Sequence, residues 1–120
     1  MKDPDGYYYE GDWHSGLPNG HGFAFFKDGS RYTGSFVLGE RSGYGVCTYK
    51  DGNEYEGEWM KDMHSGNGVF KFRDGRVYSG RFENGKKQGR GELTKVNGNV
   101  VEGDWSNDAL VKTVREDRGN

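Results

Sequence analysis

Apolar and polar residues alternate in short runs along the chain, and the runs are separated by turn signals. Two such runs are Gly22-Phe-Ala-Phe-Phe26 and Arg31-Tyr-Thr-Gly-Ser-Phe36, with Asp28-Gly29 between them. An Asp-Gly pair between alternating runs is the strongest short-range signal for a β-hairpin. Because the same signal returns at Asp51-Gly52 and Asp74-Gly75, the pattern predicts a series of hairpins.

The hairpin signals belong to an internal repeat of 23 residues. A Tyr-x-Gly-x-(Trp/Phe) motif begins at Tyr9, Tyr32, Tyr55 and Tyr78, and a degenerate copy begins at Val101. A Gly-x-Gly motif keeps the same step, and so does the Asp-Gly motif. Such a period is typical of repeat architectures, in which each unit packs mainly against its neighbours.

Each Asp-Gly hairpin has two possible registers. A two-residue loop pairs Phe25 with Tyr32, whereas a three-residue loop over residues 27–29, with glycine in the left-handed conformation, pairs Ala24 with Tyr32. We favour the three-residue loop because it places the motif glycines of neighbouring strands opposite one another.

The remaining connections are predicted as longer loops, and the first spans residues 14–19 and pairs Trp13 with Gly20. In this register one row alternates aromatic rings with glycines, the next row is all glycine, and the third is apolar. A large ring beside a glycine can lie flat over the neighbouring strand, so a single sheet can bury its own backbone. The prediction is an all-β fold: a single-layer, twisted antiparallel meander of about nine short strands.

The repeat signatures divide the chain into three segments. Residues 1–4 are expected to be disordered, residues 5–105 form the repeat array, and residues 106–120 form a C-terminal cap or tail whose last residues, 115–120, fray.

The cap is predicted from the sequence after Trp105, where the Gly-x-Gly motif does not recur. Polar N-cap residues precede Leu110, Val111 and Val114, which stand at helical spacing. We therefore expect a short capping helix that covers the last edge strand.

Composition supports a folded chain in a reducing compartment. Glycine accounts for 22 of the 120 residues, yet aromatics reach 15%, which is too many for a disordered chain. A net charge of -2 does not favour nucleic acid as a partner. The single Cys47 excludes an intramolecular disulfide and has no companion for a structural zinc site, so we expect a reducing compartment and a cytoplasmic chain.

The candidate catalytic and metal-binding residues give little support for an enzyme. His14 and His64 are expected in inter-strand loops and His21 on the polar face, all three solvated and without a second ligand at metal spacing. Cys47 falls in the apolar row, so it is interpreted as a small packed hydrophobe. The Gly-x-Gly pairs lack the context of a phosphate-binding loop. We expect no catalytic activity, no metal and no cofactor.

The three signatures on a 23-residue period resemble the MORN (membrane occupation and recognition nexus) repeat over about residues 5–105. The resemblance implies an elongated single-sheet scaffold that binds a peptide or helix segment of a partner protein, often dimerises, and works at the cytoskeleton, in cilia or near membranes. Because MORN arrays also occur as accessory modules, a regulatory appendage of a larger enzyme is an alternative. Carried over to this chain, the partner-binding groove comprises Tyr9, Trp13, Tyr32, Phe36, Tyr55, Trp59, Tyr78, Phe82 and Trp105.

Two further patches are candidates for binding. The first is an apolar island on the polar face, formed by Tyr8, Phe23, Phe25, Tyr44 and Val46. It is either a partner site or a surface that packs on flanking sequence or on another copy of the chain. The second is a basic cluster formed by Lys71, Arg73, Arg76, Arg81, Lys86, Lys87 and Arg90. It is either a binding site for anionic phospholipid such as phosphoinositide or for an acidic partner, or it is a solvated charged surface.

Overall fold

The computed structural model describes residues 7–117, which form one antiparallel sheet of ten strands in chain order. The strands are β1 Tyr8–His14, β2 Leu17–Phe25, β3 Arg31–Val37, β4 Glu40–Thr48, β5 Glu54–Met60, β6 Met63–Lys71, β7 Val77–Glu83, β8 Lys86–Thr94, β9 Val100–Ser106 and β10 Ala109–Asp117. The predicted all-β, single-layer meander is confirmed, with ten strands in place of about nine.

The sheet is elongated. Its radius of gyration is 16.0 Å and its principal extents are 50 × 23 × 19 Å, whereas a compact chain of this length has a radius of gyration of about 14 Å. Over residues 7–117 there is no helix long and apolar enough to cross a membrane. Because the sheet is elongated, each repeat buries its side chains mainly against the neighbouring repeats along one axis.

The Asp-Gly motifs lie in three-residue loops, which confirms the register that we favoured. In the first loop the Phe26 N–H donates to the Ser30 carbonyl at 2.9 Å, and the motif glycine takes a φ of 92°. The Asp28 carboxylate accepts the Ser30 N–H at 2.8 Å, and the equivalent contact recurs in the next three loops. Ala24 accordingly pairs with Tyr32.

The other connections are two-residue turns, so the prediction of longer loops is wrong. Ser15 and Gly16 alone join β1 to β2, with φ of 51° and 79°, the positive values that a type I′ turn requires. As a result Trp13 pairs with Pro18 and not with Gly20, and a bulge beside Trp13 takes up the extra residues of β2.

The predicted all-glycine row is confirmed from β1 to β9. The rings closest to it are those of the motif tyrosines, since a Cβ on Gly68 would lie only 2.2 Å from the Tyr55 hydroxyl oxygen. The Trp59 ring also reaches the neighbouring strand, where its Nε1–H donates to the Gly45 carbonyl at 3.1 Å. Side chains at the glycine positions would therefore displace the rings that bury the sheet.

The hydroxyl group of each motif tyrosine is also satisfied within the sheet. Tyr55 donates to the carbonyl of Glu58 at 2.8 Å, and the other three motif tyrosines make the equivalent contact. Burial raises the pKa of Tyr78 to about 12, so its hydroxyl stays a donor across the physiological range. The tyrosines thus bury a large ring without leaving a polar atom unpaired.

The capping helix predicted after Trp105 is wrong. Asn107 and Asp108 form another two-residue turn, with φ of 48° and 73°, and the chain returns as β10. Pairing with β9 satisfies backbone groups that a helix would satisfy internally, and the β-branched Val111 and Val114 suit a strand.

Residues 115–117, which were expected to fray, are the last three residues of β10. Residues 118–120 and the segment 1–4, predicted to be disordered, lie outside the described residues.

Candidate interaction surfaces

The nine side chains of the predicted groove share one face of the sheet, which we call the aromatic face, and eight of them make up most of its core. Eight of the nine are at most 7% exposed, whereas Trp13 is 43% exposed. Rings of successive repeats meet edge to face, as for Tyr32 and Trp59 with centroids 5.2 Å apart. Each such pair contributes about 0.5–1.5 kcal/mol beyond its burial. These rings hold the repeats together, and a partner reaches most of them only through the residues that cover them.

A row of five side chains covers these rings, and the sequence analysis missed it: Pro18, Arg41, His64, Lys87 and Leu110, each paired with a Trp or Phe of the aromatic face. We call it the covering row. The Arg41 guanidinium lies 4.6 Å from the ring centroid of Trp59, and the Lys87 ammonium lies 5.7 Å from that of Trp105. Both are cation–π contacts of ordinary length. The 23-residue step through the row was the signal in the sequence.

A carboxylate accompanies each cation of the covering row. Asp62 Oδ1 is 3.0 Å from Arg41 Nε and accepts the Arg41 N–H at 2.8 Å. Asp108 Oδ1 is 3.8 Å from Lys87 Nζ and accepts the Lys87 N–H at 2.8 Å. Both aspartates hold the second position of a two-residue turn, where the other three turns have glycine. They compensate cations whose side chains are only 15–16% exposed.

His64 is not the solvated loop histidine that was predicted. It lies in β6 opposite Trp59, and its ring stacks on Tyr55 with centroids 3.8 Å apart. Burial, aided by the two cations of the covering row, lowers the pKa of His64 to about 4. The ring is therefore neutral near pH 7, and its Nε2 shares a hydrogen bond with the Tyr49 hydroxyl, 2.6 Å away.

The remaining candidates for chemistry are two exposed histidines and one buried cysteine. His14 is exposed at the end of β1, and His21 is exposed on the polar face, as predicted for it. Cys47 is fully buried, which confirms its interpretation as a packed hydrophobe, and burial raises the pKa of its thiol. Among residues 7–117 no three His, Cys, Asp or Glu side chains stand close enough to hold a metal ion. The described sheet offers packing and no activated nucleophile.

The predicted apolar island lies on the opposite, polar face in two groups separated by β3: Tyr8, Phe23 and Phe25 on β1 and β2, and Tyr44 and Val46 on β4. Phe25 is 40% exposed and Tyr44 57%. The hydroxyl groups of Tyr8 and Tyr44 donate to the carboxylates of Glu10 and Glu56. These contacts raise the pKa of both phenols.

The predicted basic cluster is spread over several surfaces. Lys87 lies on the aromatic face, Arg73 and Arg76 lie in the loop between β6 and β7, and the other four lie on the polar face: Lys71, Arg81, Lys86 and Arg90. Lys71, Arg76, Lys87 and Arg90 are paired with carboxylates 2.9–3.9 Å away. Within the part of the chain that the structure describes, the cluster does not form one continuous basic surface.

An exposed apolar strip that the sequence analysis missed follows the two-residue turns of the first three hairpins. We call it the apolar turn edge, and it comprises Leu17, Val37, Leu38, Met60 and Met63, which are 39–58% exposed. Leu38 takes a φ of 47°, a region that leucine rarely adopts, whereas the equivalent position two repeats later is Asn84. A leucine at a turn position that favours Asn or Gly was the available signal.

A protein-family model matches most of the chain. The model described as "MORN repeat" matches four segments of the chain: residues 9–31, 32–54, 55–75 and 78–100. Each segment begins at one of the four motif tyrosines. It ends at or after the next Asp-Gly or Asn-Gly pair.

Proposed function

Since the chain belongs to the MORN repeat family, we propose that it is a non-catalytic scaffold that binds a segment of a partner protein. The observation that carries the proposal is the apolar turn edge, because monomeric soluble proteins rarely leave a contiguous apolar strip in water. Leu17 brings the first two of these turns together, since its Cδ2 lies 3.6 Å from where a Cβ on Gly39 would stand.

We propose that the partner segment lies along this edge, whose strand residues alternate with those of the aromatic face. Neighbouring turns are two strands apart, so the three apolar turns span about 19 Å. A helix of about 13 residues covers that length at 1.5 Å per residue. Met60 and Met63 suit such a contact, because methionine adapts its shape to an irregular apolar partner.

Site-specific photo-crosslinking tests this placement. Benzoylphenylalanine replaces Leu38 in the protein expressed in cells of its own source, and in a matched control it replaces Asn84, which occupies the same turn position two repeats later. We expect a discrete protein adduct from position 38 and none from position 84. Adding Met60→Ser and Met63→Ser should remove the adduct while circular dichroism shows an intact sheet.

Two results would contradict the placement. The first is the same adducts from positions 38 and 84, which would indicate contact without preference for the apolar turns. The second is an adduct from position 38 that survives both methionine substitutions.

A further inference from the structure

The polar face differs in charge between its two halves. The strand register places one guanidinium, that of Arg31, on this face of β1–β5 among the described residues. It places six carboxylates there: Glu10, Asp12, Glu40, Glu54, Glu56 and Glu58. On β6–β10 cations and carboxylates nearly balance and pair with one another, as Arg90 does with Asp104 at 3.0 Å. The first half therefore presents a net negative surface and the second half does not.

One row across the sheet makes the contrast sharp, because it carries two glutamates in each half. In the second half Glu92 and Glu102 both pair with Arg115, at 3.7 and 3.1 Å. In the first half Glu10 and Glu56 meet tyrosine hydroxyls, and neither forms an ion pair with any residue from 7 to 117.

The space between Glu10 and Glu56 is lined by apolar and aromatic side chains. Phe23 and Val46 stand in the same row, and the exposed rings of Phe25 and Tyr44 flank it. On the other side of Glu56, over β5–β7, the surface opens into a shallow depression of about 480 Å³ that is lined by three row glycines and also by Lys71. Exposed rings next to carboxylates are what a Lys or Arg side chain contacts best, through cation–π and ionic contacts together.

We propose that the polar face of β1–β5 is a second docking surface and that its occupant is an extended, basic segment of a partner protein. The charge of the surface selects a cation-rich partner, and the rings and Val46 select one that also carries apolar side chains. This surface lies along the middle of the strands, whereas the apolar turn edge lies at their turn ends, and the test below keeps the two apart.

The geometry also predicts the pattern of the segment. Glu10 and Glu56 lie in one row on β1 and β5, so four strand spacings of about 4.8 Å separate them by about 19 Å. An extended chain covers that distance in about six residues. Residues two and four along face the same side and fall near Phe23 and Val46. The expected pattern is basic-x-apolar-x-apolar-x-basic.

A fluorescent peptide carrying Arg-x-Leu-x-Leu-x-Arg tests the proposal by fluorescence anisotropy with the purified full chain. The test variant is Glu10→Gln with Glu56→Gln, and the matched control is Glu92→Gln with Glu102→Gln, which removes the same charge from the same row. We expect the test variant to bind about tenfold more weakly, since two exposed ion pairs together contribute on the order of that factor. The control variant should bind within twofold of the unmodified chain.

Three further arms check the other features of the proposal. Tyr44→Ala should weaken binding without a change of charge, a peptide of the same composition with adjacent arginines should bind more weakly, and Leu38→Asn at the apolar turn edge should leave binding unchanged. Equal loss in the test and control variants would overturn the proposal, as would equal binding of both peptides. Flotation with anionic vesicles, or a dimer in sedimentation that the test variant dissociates, would replace the basic segment by a membrane or a second copy.

Discussion

Acidification should destabilise the sheet through His64. Burial lowers the pKa of this side chain from 6.5 to about 4 in the folded chain. The unfolded chain therefore binds a proton that the folded chain does not bind between these values, so stability is full above pH 6.5 and falls as the pH falls toward 4. Between pH 8 and pH 5 this linkage costs about 2 kcal/mol, at about 1.4 kcal/mol per unit of pKa difference.

Urea unfolding followed by tryptophan fluorescence at pH 8, 7, 6 and 5 measures this loss. In His64→Leu the loss over the same range should nearly disappear, and leucine fits because Leu110 holds the equivalent position two repeats later. His21→Gln is the control, since His21 is exposed on the polar face, and it should keep the pH dependence of the unmodified chain. If His64→Leu retained the full slope, the reasoning from burial would be refuted.

Three other substitutions have defined outcomes. Gly68→Ala places a Cβ 2.2 Å from the Tyr55 hydroxyl oxygen and should cost about 1–3 kcal/mol in thermal unfolding, whereas a loss under about 0.5 kcal/mol would contradict the close packing. Asp62→Gly leaves the Arg41 guanidinium without its carboxylate and should clearly lower the free energy of unfolding. Adding Arg41→Leu should restore most of that stability. Additive losses from the two substitutions would show that the two side chains are not energetically coupled. Leu38→Asn should preserve or slightly raise the melting temperature, because Asn tolerates the positive φ of this position. The same substitution should abolish crosslinking of the partner from a neighbouring turn position. Crosslinking that persists would exclude Leu38 from the interface.

The sheet and its register were predictable where the turn chemistry is explicit. Asp28-Gly29 closes a three-residue loop, and that loop fixes the pairing of Ala24 with Tyr32 and of every residue between the loop and the glycine row. The 23-residue period then carries the same register through the array. The rings over the glycine row were assigned wrongly, since Trp and Phe were expected beside glycines and the tyrosine rings are the ones closest to the row.

A single error about loop length accounts for most of what the sequence did not reveal. Ser15-Gly16 lacks the Asn-Gly or Asp-Gly signature of a two-residue turn, so the strand on its far side was taken to begin at Gly20 instead of Leu17. Asn84-Gly85 carries that signature at the equivalent turn three repeats later, and the sequence analysis did not use it. The equivalent shift in the later repeats moves Arg41 and His64 out of a supposed loop and onto the aromatic face. The buried cation, the neutral histidine and the aspartate that compensates the cation were all hidden by that one assignment.

The missed strand β10 has the same origin. Leu110, Val111 and Val114 satisfy a helical spacing, yet Leu110 also stands one period after Lys87, and so continues the covering row. A short run of apolar residues fits both interpretations, and the turn before it decides between them. Once Asn107-Asp108 is recognised as another two-residue turn, a strand follows necessarily.

The contacts between the covering row and the turns specify the sequence of the repeats along the chain, which their shared motif alone does not specify. The turn of each repeat packs on the covering residue of the repeat before it, as when the Asp62 N–H donates to the Arg41 carbonyl at 3.0 Å. An aspartate stands in the turn when that residue is a cation, and a glycine when it is Pro18 or His64. Exchanging two repeats would therefore bury an unpaired cation or leave an unneeded carboxylate against a neutral neighbour. Nearest-neighbour coupling of this kind fixes the sequence of units in an array whose backbone is nearly identical from one unit to the next.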